Sequence, residues 1–442
     1  MKIGLIGSGG REHAIAKALC KGEQCDSLFV YGSHLNPGIQ KIATSLFLGE
    51  VHDLKKIDNF FMANGVELVV VGPEVPLISG VSDQLRSKGL RVVGPTKAQS
   101  RLEGDKVFMR DLLRRRVKRG SPRWREVKDA ASARDFITEV GQVAIKPVGL
   151  TGGKGVWVMG VHFHSIEEAL EKVELALRQD GVVLIEERLI GEEFSRMAFV
   201  SDNQIAPMPV AQDFKYAYDG DQGGMTGGMG AYTMADGSMP FLNEEAIKQA
   251  DLILQLTVDA IEEESGEKYR GFLYGQFMAT ADGVRVIEFN VRLGDPEAIN
   301  MMALLETDIV KLLGAIAEGV LNESNVSFAP RASICKYLVP ASYPGSSNEH
   351  IEINMNEKEI EEAGFSVIFA SITQKGRVME SLGSRALAIV GLGENVYNIS
   401  EEMEALLGKI EPPMLRHRKD IGDENVISNK IKKMRSLRSE VS

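Results

Sequence analysis

The sequence predicts an α/β and α+β multidomain chain: an N-terminal Rossmann-like domain built on a parallel sheet, a central α+β domain carrying glycine loops, and a small C-terminal β-rich domain. Three observations predict it. Residues 1–104 alternate short apolar runs with helical patterns, residues 105–325 return to strands broken by two glycine-rich loops, and residues 326–442 hold short strand-like pieces before a basic tail. A length of 442 residues also suits about three domains and a large core.

In the first domain the apolar runs at 3–6, 28–31, 68–72 and 91–94 read as strands, and the patterns at 12–21 and 80–88 as helices. Such alternation builds a parallel sheet wrapped by helices, which binds ligands beyond the carboxyl ends of its strands. Two of those ends carry polar loops, Gly7-Ser8-Gly9-Gly10-Arg11-Glu12-His13 and Gly72-Pro73-Glu74-Val75-Pro76. A helical stretch begins near Lys97 and leads to Arg114-Arg115-Arg116-Val117-Lys118-Arg119, a charge run that reads as a solvated helix end or loop rather than a nucleic-acid patch. Strands return from residue 143 to about residue 321, interrupted by glycine loops at 149–155 and 220–230. The pieces at 333–339, 366–372 and 387–390 lack clustered chemistry and read as a supporting domain, and the basic tail at 416–442 as a terminal helix or frayed end.

Composition narrows the function. Hydrophobic residues at 44% and charged residues at 26% are ordinary globular values, and the net charge of −11 argues against nucleic-acid binding, which needs cations to displace counterions. Cys20, Cys25 and Cys335 form neither a disulfide framework nor a C-x-x-C metal site. The first six residues run into a glycine turn without a signal-peptide pattern, and no apolar run approaches the roughly 20 residues of a membrane span. A cytoplasmic protein without membrane association is expected.

Four segments carry chemistry. Gly7-Ser8-Gly9-Gly10 follows a strand and opens a helix, which sets backbone N–H groups and the helix dipole before an anion. Glu12 stands where a dinucleotide fingerprint needs glycine, and no acid follows the second strand to hold a ribose, so a phosphate fits better than NAD. The stretch from Lys146 through Gly155 sets two lysines around a glycine loop; it is no Walker A sequence, and it reads as a mobile cover for phosphates or as an exposed hairpin. The apolar run 183–185 ends in Glu186 and Glu187, a weak signal alone. In the strand Val286-Ile287-Glu288-Phe289-Asn290-Val291-Arg292, alternation puts Glu288, Asn290 and Arg292 on one face and Ile287, Phe289 and Val291 on the other. A carboxylate beside a carboxamide suits Mg²⁺ with nucleotide phosphates, although a merely wet polar face has the same pattern.

In this order the segments resemble the ATP-grasp enzymes, in which ATP lies between two α+β lobes. The resemblance sharpens through Gly7 to Ala14, Gly72-Pro73-Glu74-Val75-Pro76-Leu77, Leu102-Glu103-Gly104-Asp105-Lys106, Ala211-Gln212-Asp213-Phe214-Lys215, Thr226-Gly227-Gly228-Met229-Gly230-Ala231-Tyr232 and Glu288 to Glu297. Together these are similar to the phosphoribosylamine glycine ligase family of purine synthesis. The motifs cover roughly residues 1–320.

What that resemblance implies is a central ATP-grasp domain with a mobile lid subdomain near 118–190, and ATP-dependent ligation of glycine to 5-phosphoribosylamine through glycyl phosphate. For ATP it implies Lys106 and Lys146 on the phosphates, Gly153, Lys154 and Gly155 covering them, backbone from Glu186 through Glu187 to Leu189 on adenine, and Glu193 on the ribose. For the metal, Mg²⁺ or Mn²⁺, it implies Glu288 and Asn290, with Gln276 where many relatives carry an acid. For the acceptor it implies Gly9, Gly10 and Arg11 on the phosphate and Glu74 on the ribose hydroxyls, with Lys215, Gly227, Gly228, Met229, Gly230 and Asp295 completing the pocket. Asp213, Arg292 and Lys146 form the implied catalytic set: Asp213 on the amine, Arg292 on the glycine carboxylate. The partners implied are these small molecules alone, for a monomer or weak homodimer.

The chain departs from the family pattern at Lys146-Pro147-Val148-Gly149-Leu150, at Asp213-Phe214-Lys215 and in the basic run at 114–119, departures that imply a divergent, archaeal-type branch. Another ATP-grasp carboxylate–amine ligase, a carboxylase, or a non-catalytic ATP-binding regulator are the alternative readings.

Overall fold

The structure is a computed structural model that describes every residue except 149–154, 346–350, 377, 411, 413 and 440–442. Strands β1 (Lys2–Ile6), β2 (Ser27–Gly32), β3 (Ser45–Leu48), β4 (Leu68–Val71) and β5 (Arg91–Val93) form a parallel sheet in the order β3-β2-β1-β4-β5. Ile3, Leu5 and Ile6 are wholly buried, and so are Leu68, Val69 and Val70. Helices cover both faces, so these strands need continuous apolar runs rather than alternation. The first glycine loop leads into α1 (Gly10–Lys21). Strand β3 and the helix Leu54–Asn64 escaped the sequence reading, because β3 is a short edge strand that leaves Phe47 and Leu48 exposed.

Helix α2 (Lys106–Leu112) continues into one wide π turn at Leu113–Val117, which contains the first part of the basic run. There Arg114 and Arg115 pair with Asp111, and Arg115 and Arg116 with Glu264. A small lobe follows: β6 (Trp124–Val127), α3 (Ala130–Val140), β7 (Val143–Pro147), β8 (Trp157–Val158), α4 (Ile166–Asp180) and β9 (Val183–Glu187). Its sheet runs β6-β9-β7-β8. The lobe packs around its own core of Val127, Phe136, Ile145, Val173 and Ile185, separate from the core of the rest of the chain.

The chain then returns through β10 (Glu192–Ser201), β11 (Gln204–Pro207), the short β12 (Gln212–Asp213), the hairpin β13 (Tyr216–Tyr218) and β14 (Gln222–Met225), and β15 (Gly230–Thr233). Helix α5 (Glu244–Ser265) precedes the long hairpin β16 (Arg270–Thr280) and β17 (Gly283–Asn290). An antiparallel sheet β11-β10-β16-β17 results.

The last part of the chain is not a free-standing appendage. Strand Ala332–Pro340 pairs with β15 on one side and with Leu387–Gly393 on the other, so a single sheet joins segments from both sides of residue 326. The basic tail forms helix α6 (Glu424–Ser439), anchored by buried Ile427 and Met434. Among the described residues, no helix is long and apolar enough to cross a membrane.

Candidate active site

A cavity of about 440 Å³ opens between the small lobe and the β10–β17 sheet. Lys146 enters it from β7, its Nζ 2.7 Å from Glu186 Oε2 and 3.3 Å from the carbonyl of Ile287. Glu186 is itself clamped by Arg110, whose Nε and Nη2 donate to its two oxygens at 2.6 and 2.9 Å. Burial works against the Glu186 carboxylate, but Arg110 and Lys146 outweigh it and hold the pKa below the usual carboxylate value. Its side chain therefore positions the lysine. Lys106 lines the same cavity from the first turn of α2, and burial lowers its pKa. Glu187 Oε1 accepts from the backbone N–H of Arg123 at 2.9 Å. Along the expected adenine edge, the N–H groups of Glu187 and Arg188 are spent on Arg123 and Gln142, and that of Leu189 has no hydrogen-bond partner among the described residues. Burial raises the pKa of Glu193, farther along the wall.

Strand β17 corrects the alternation read from sequence. Gln276 pairs with Glu288 but Phe277 pairs with Val286, so Ile287 is an extra residue in a β-bulge. Ile287 consequently lines the cavity beside Glu288 instead of joining Phe289 in the core, and its carbonyl accepts from both Arg110 and Lys146. The strand ends at Asn290, which leaves Arg292 beyond it on the connection to the next helix. Burial penalises the Glu288 carboxylate, yet Lys215, Lys146, Lys106 and Arg292 together hold its pKa low. Gln276 departs from its expected metal role: its Oε1 accepts from Tyr274 Oη, and its Nε2 donates to Glu193 at 3.0 Å and Asp213 at 3.3 Å. It is a fully buried brace between two carboxylates. Among the described residues no group of three or more His, Cys, Asp or Glu is disposed to hold a metal. Ionised Glu288 and the Asn290 carboxamide suit Mg²⁺ all the same, because that ion takes only one or two protein ligands when phosphates supply the rest.

A second cavity of about 340 Å³ adjoins the first and shares Lys106, Val156, Asp213, Lys215 and Glu288 with it. Arg292 dominates its wall. Its Nη2 lies 2.9 Å from Glu103 Oε1 and 3.0 Å from Asn290 Oδ1, and its Nε lies 3.4 Å from Glu74 Oε2 without forming a hydrogen bond. Burial pushes the Glu103 carboxyl up to about 7 despite this pairing. Lys215 Nζ is 3.9 Å from Asp213 Oδ2; burial opposes its charge, but Asp213, Glu288, Glu193 and Glu297 prevail and raise its pKa. Glu297 Oε1 lies 2.9 Å from Tyr274 Oη, and burial with Asp213 nearby lifts its carboxyl to about 7.

The expected phosphate loop divides in two. Arg11 lines the second cavity, held by Glu12 at 2.6 Å and the carbonyl of Leu293 at 3.0 Å. Gly9 and Gly10 do not line it. The N–H of Gly9 is capped by Glu12 Oε2 at 2.7 Å, and a Cβ on Gly10 would come within 2.1 Å of the Tyr337 hydroxyl, so glycine there serves domain packing. Gly227 lines the cavity, whereas Met229 is wholly buried and Gly230 belongs to β15, both in sheet pairing rather than in the pocket. Asp295 is fixed by Tyr337 Oη at 2.6 Å and by Arg385 Nη2 at 3.1 Å. Gly153 and Lys154 lie outside the described residues; Gly155 is exposed, with φ of +92°.

Sequence reasoning missed several contributors. Arg110 stands four residues after Lys106, a helical spacing that puts both on one face and was available as a signal. Glu103 lay inside a quoted motif without a role. Arg385 had no signal: it comes from the segment read as merely supporting, yet it donates to the carbonyls of Gly227, Gly228 and Asp295. Lys430 and Lys433 of α6 also line the nucleotide cavity, where Lys433 Nζ donates to the carbonyl of Gly191 and to Glu192 Oε1 at 2.7 Å each.

Two α+β lobes facing each other across a cavity of lysines and carboxylates define an ATP-grasp protein. The sequence comparisons give the family. The chain belongs to the phosphoribosylglycinamide synthetase family, whose N domain matches residues 1–103, whose ATP-grasp (A) domain matches 104–298 and whose C domain matches 333–424. It is 41% identical to the phosphoribosylamine–glycine ligase of Methanopyrus kandleri over 100% of both chains, and 41% identical to that of Pyrococcus furiosus over 100% of this chain and 98% of the relative. The crystal structure of the Thermotoga maritima phosphoribosylamine–glycine ligase superposes with a TM-score of 0.79 at 28% identity, covering 95% of this chain and 100% of that one. A biotin carboxylase from Campylobacter jejuni, at a TM-score of 0.74 and 12% identity over 96% of each chain, shares the fold.

Proposed function

We propose that this chain is an ATP-dependent ligase of purine biosynthesis that joins glycine to 5-phosphoribosylamine, giving glycinamide ribonucleotide, ADP and phosphate. One observation carries the reading: the nucleotide cavity and the acceptor cavity meet at Lys106, Asp213, Lys215 and Glu288, so a phosphoryl group and an amine acceptor can reach the same point. Leu189 N–H would hold adenine, Glu193 the ribose, and Lys106 and Lys146 the phosphates. A divalent ion, Mg²⁺ or Mn²⁺, would be held by Glu288 and Asn290 and would offset phosphate charge.

A carboxylate is a poor electrophile, because its leaving group would be oxide. Its oxygen attacks the γ-phosphorus of ATP, the bond to ADP breaks, and glycyl phosphate forms. Lys106 and Lys146 offset charge on the transferring group, and Arg292, kept in place by Glu103 and Glu74, faces the carboxylate. The amine of phosphoribosylamine then attacks the acyl carbon, the C–N bond forms and phosphate leaves. Asp213 or the departing phosphate takes the proton. Glu74 and Arg11 line the pocket for the phosphoribosyl moiety, and Arg385 fixes Asp295 and the Gly227–Gly228 turn around it.

The test is ADP release by the full chain. The expected result is release that requires both glycine and phosphoribosylamine; release indifferent to either overturns the proposal. Asp213→Asn separates the proton acceptors, since near-normal turnover at saturating substrates would leave the role to phosphate.

A further inference from the structure

A cavity of about 840 Å³ lies at the β6 edge of the small lobe and shares no lining residue with the nucleotide cavity. One wall is the lobe itself, through Arg123, Trp124, Arg125 and Phe136; the opposite wall is α5 and the β16–β17 hairpin; residues 118–122 cross between them. Six cations line it, Arg114, Lys118, Arg119, Arg123, Arg125 and Arg285, against two carboxylates, Glu139 and Asp282. The carboxylates are already committed, Glu139 to both Arg123 and Arg125, and Asp282 to Arg285. The side chains of Lys118 and Arg119 have no ion-pair or hydrogen-bond partner among the described residues. A concentration of positive charge in a chain of net charge −11 requires an account. Its first half, Arg114 to Arg116, is paired with Asp111, Glu263 and Glu264, Arg114 while also lining the cavity; its second half, Lys118 and Arg119, faces the cavity without such pairing among the described residues.

We infer that this cavity binds a small polyanion, a polyphosphate or multiply phosphorylated metabolite, which ties the small lobe to the body of the molecule. The volume falls in the range of small-ligand pockets, roughly 300–1,000 Å³, and the net charge of −11 argues against a nucleic-acid partner. Trp124 and Phe136 are already covered by Arg114 and Arg125, at 5.1 and 4.8 Å, so the site offers charge rather than a stacking face for a base. A route to the nucleotide cavity is built in. Arg123 and Glu187 exchange hydrogen bonds, N–H of Glu187 to the carbonyl of Arg123 and N–H of Arg123 to Glu187 Oε1, both at 2.9 Å, and Glu187 lines the nucleotide cavity. A ligand that fixes Arg123 against the body thereby biases the position of the adenine edge. Such coupling acts only through different affinity for two lobe positions.

Calorimetric titration of tripolyphosphate into the full chain, already saturated with a non-hydrolysable ATP analogue, tests binding with the nucleotide phosphate sites filled, and a double variant of the basic run separates this cavity from the acceptor pocket that holds Arg11. One further site is expected, weakened about tenfold or more in the double variant Lys118→Glu, Arg119→Glu. Both positions are exposed, and unchanged affinity of that variant for the analogue shows that it is folded. No binding to the saturated wild type, or equal affinity in the variant, overturns the inference. Fructose 1,6-bisphosphate titrated in the same way separates the sources: binding of both probes assigns the site to phosphate esters generally, and binding of tripolyphosphate alone assigns it to inorganic chains. The coupling rests on the ligase reading and is read separately, as a change of about fivefold or more in KM for ATP with tripolyphosphate that the double variant abolishes. An unchanged KM in the wild type overturns the coupling and leaves the binding result standing.

Discussion

The two cavities that meet at Glu288 are assembled differently. The nucleotide side comes largely from one continuous piece of chain and its return strand: Lys106 and Arg110 on α2, Lys146 and Glu186 on paired strands, Glu193 on β10. The acceptor side is a meeting of all three parts of the molecule. Glu74 arrives from the first domain, Arg292 and Asp295 from the connection after β17, and Arg385 from the connection just before strand Leu387–Gly393. Their electrostatics do not divide so cleanly. Glu103 and Glu297, lifted to about 7, border the acceptor cavity, but burial also raises Glu193 on the nucleotide side, while Glu74 on the acceptor side and Glu288, shared by both, are held low by cations. On the proposed function, nucleotide affinity rests mainly on the central domain with Lys430 and Lys433 of α6 beside it, and acceptor affinity on how the three parts of the chain are docked.

The largest effect is expected where the comparison breaks down. Glu288 serves both cavities, so Glu288→Gln should lower turnover about 10²–10³-fold without unfolding the chain, as circular dichroism and ADP release would show. Arg385→Ala should act on one side alone. It removes three hydrogen bonds to carbonyls and one of the two partners of Asp295, so KM for phosphoribosylamine should rise about 10-fold to 100-fold while KM for ATP stays within about twofold. An equal rise in both would merge the two cavities into one functional unit. Arg110→Met is the counterpart, and about a tenfold rise in KM for ATP with acceptor constants unchanged is the result that keeps them apart.

The smallest effect concerns pH. In the fold the Glu103 carboxyl takes its proton near 7, against 4.5 for the unperturbed group. Between those values the folded chain keeps a proton that the unfolded chain has lost, so this group makes folding less favourable as pH rises through the window. Glu103→Gln should remove that slope, and urea unfolding at pH 5 and pH 8 should show the difference between variant and wild type moving in the variant's favour by on the order of 2 kcal/mol at the higher pH. A difference independent of pH would show that Glu103 stays ionised beside Arg292.

What the sequence disclosed follows the same division. The parallel sheet was legible because its strands are buried on both faces and appear as unbroken apolar runs, and so were several side chains that line the first cavity, because they sit in short motifs at element ends. Arg385 was hidden, since nothing near it in the chain marks it and its partners lie some 90 to 160 positions away. The hydrogen-bond partners of Gln276 were hidden for another reason. A carboxamide presents a donor and an acceptor, and only the placement of Tyr274, Glu193 and Asp213 decides which way it faces.

The extra residue at Ile287 also shifts the parity of its strand. Toward the hairpin tip, Val284 and Val286 face inward on even numbers; past the bulge, Phe289 faces inward on an odd one. A saturation mutagenesis scan should record a phase slip at 287, with polar substitutions rejected at 284, 286 and 289 under one stability rule and those at 288 and 290 judged by activity alone. Deleting the codon for Ile287 would give the strand one alternation throughout, with Val284, Val286 and Phe289 in phase, and would remove the bulge carbonyl that accepts from Arg110 and Lys146, so the number of residues in this short segment matters as much as their identity.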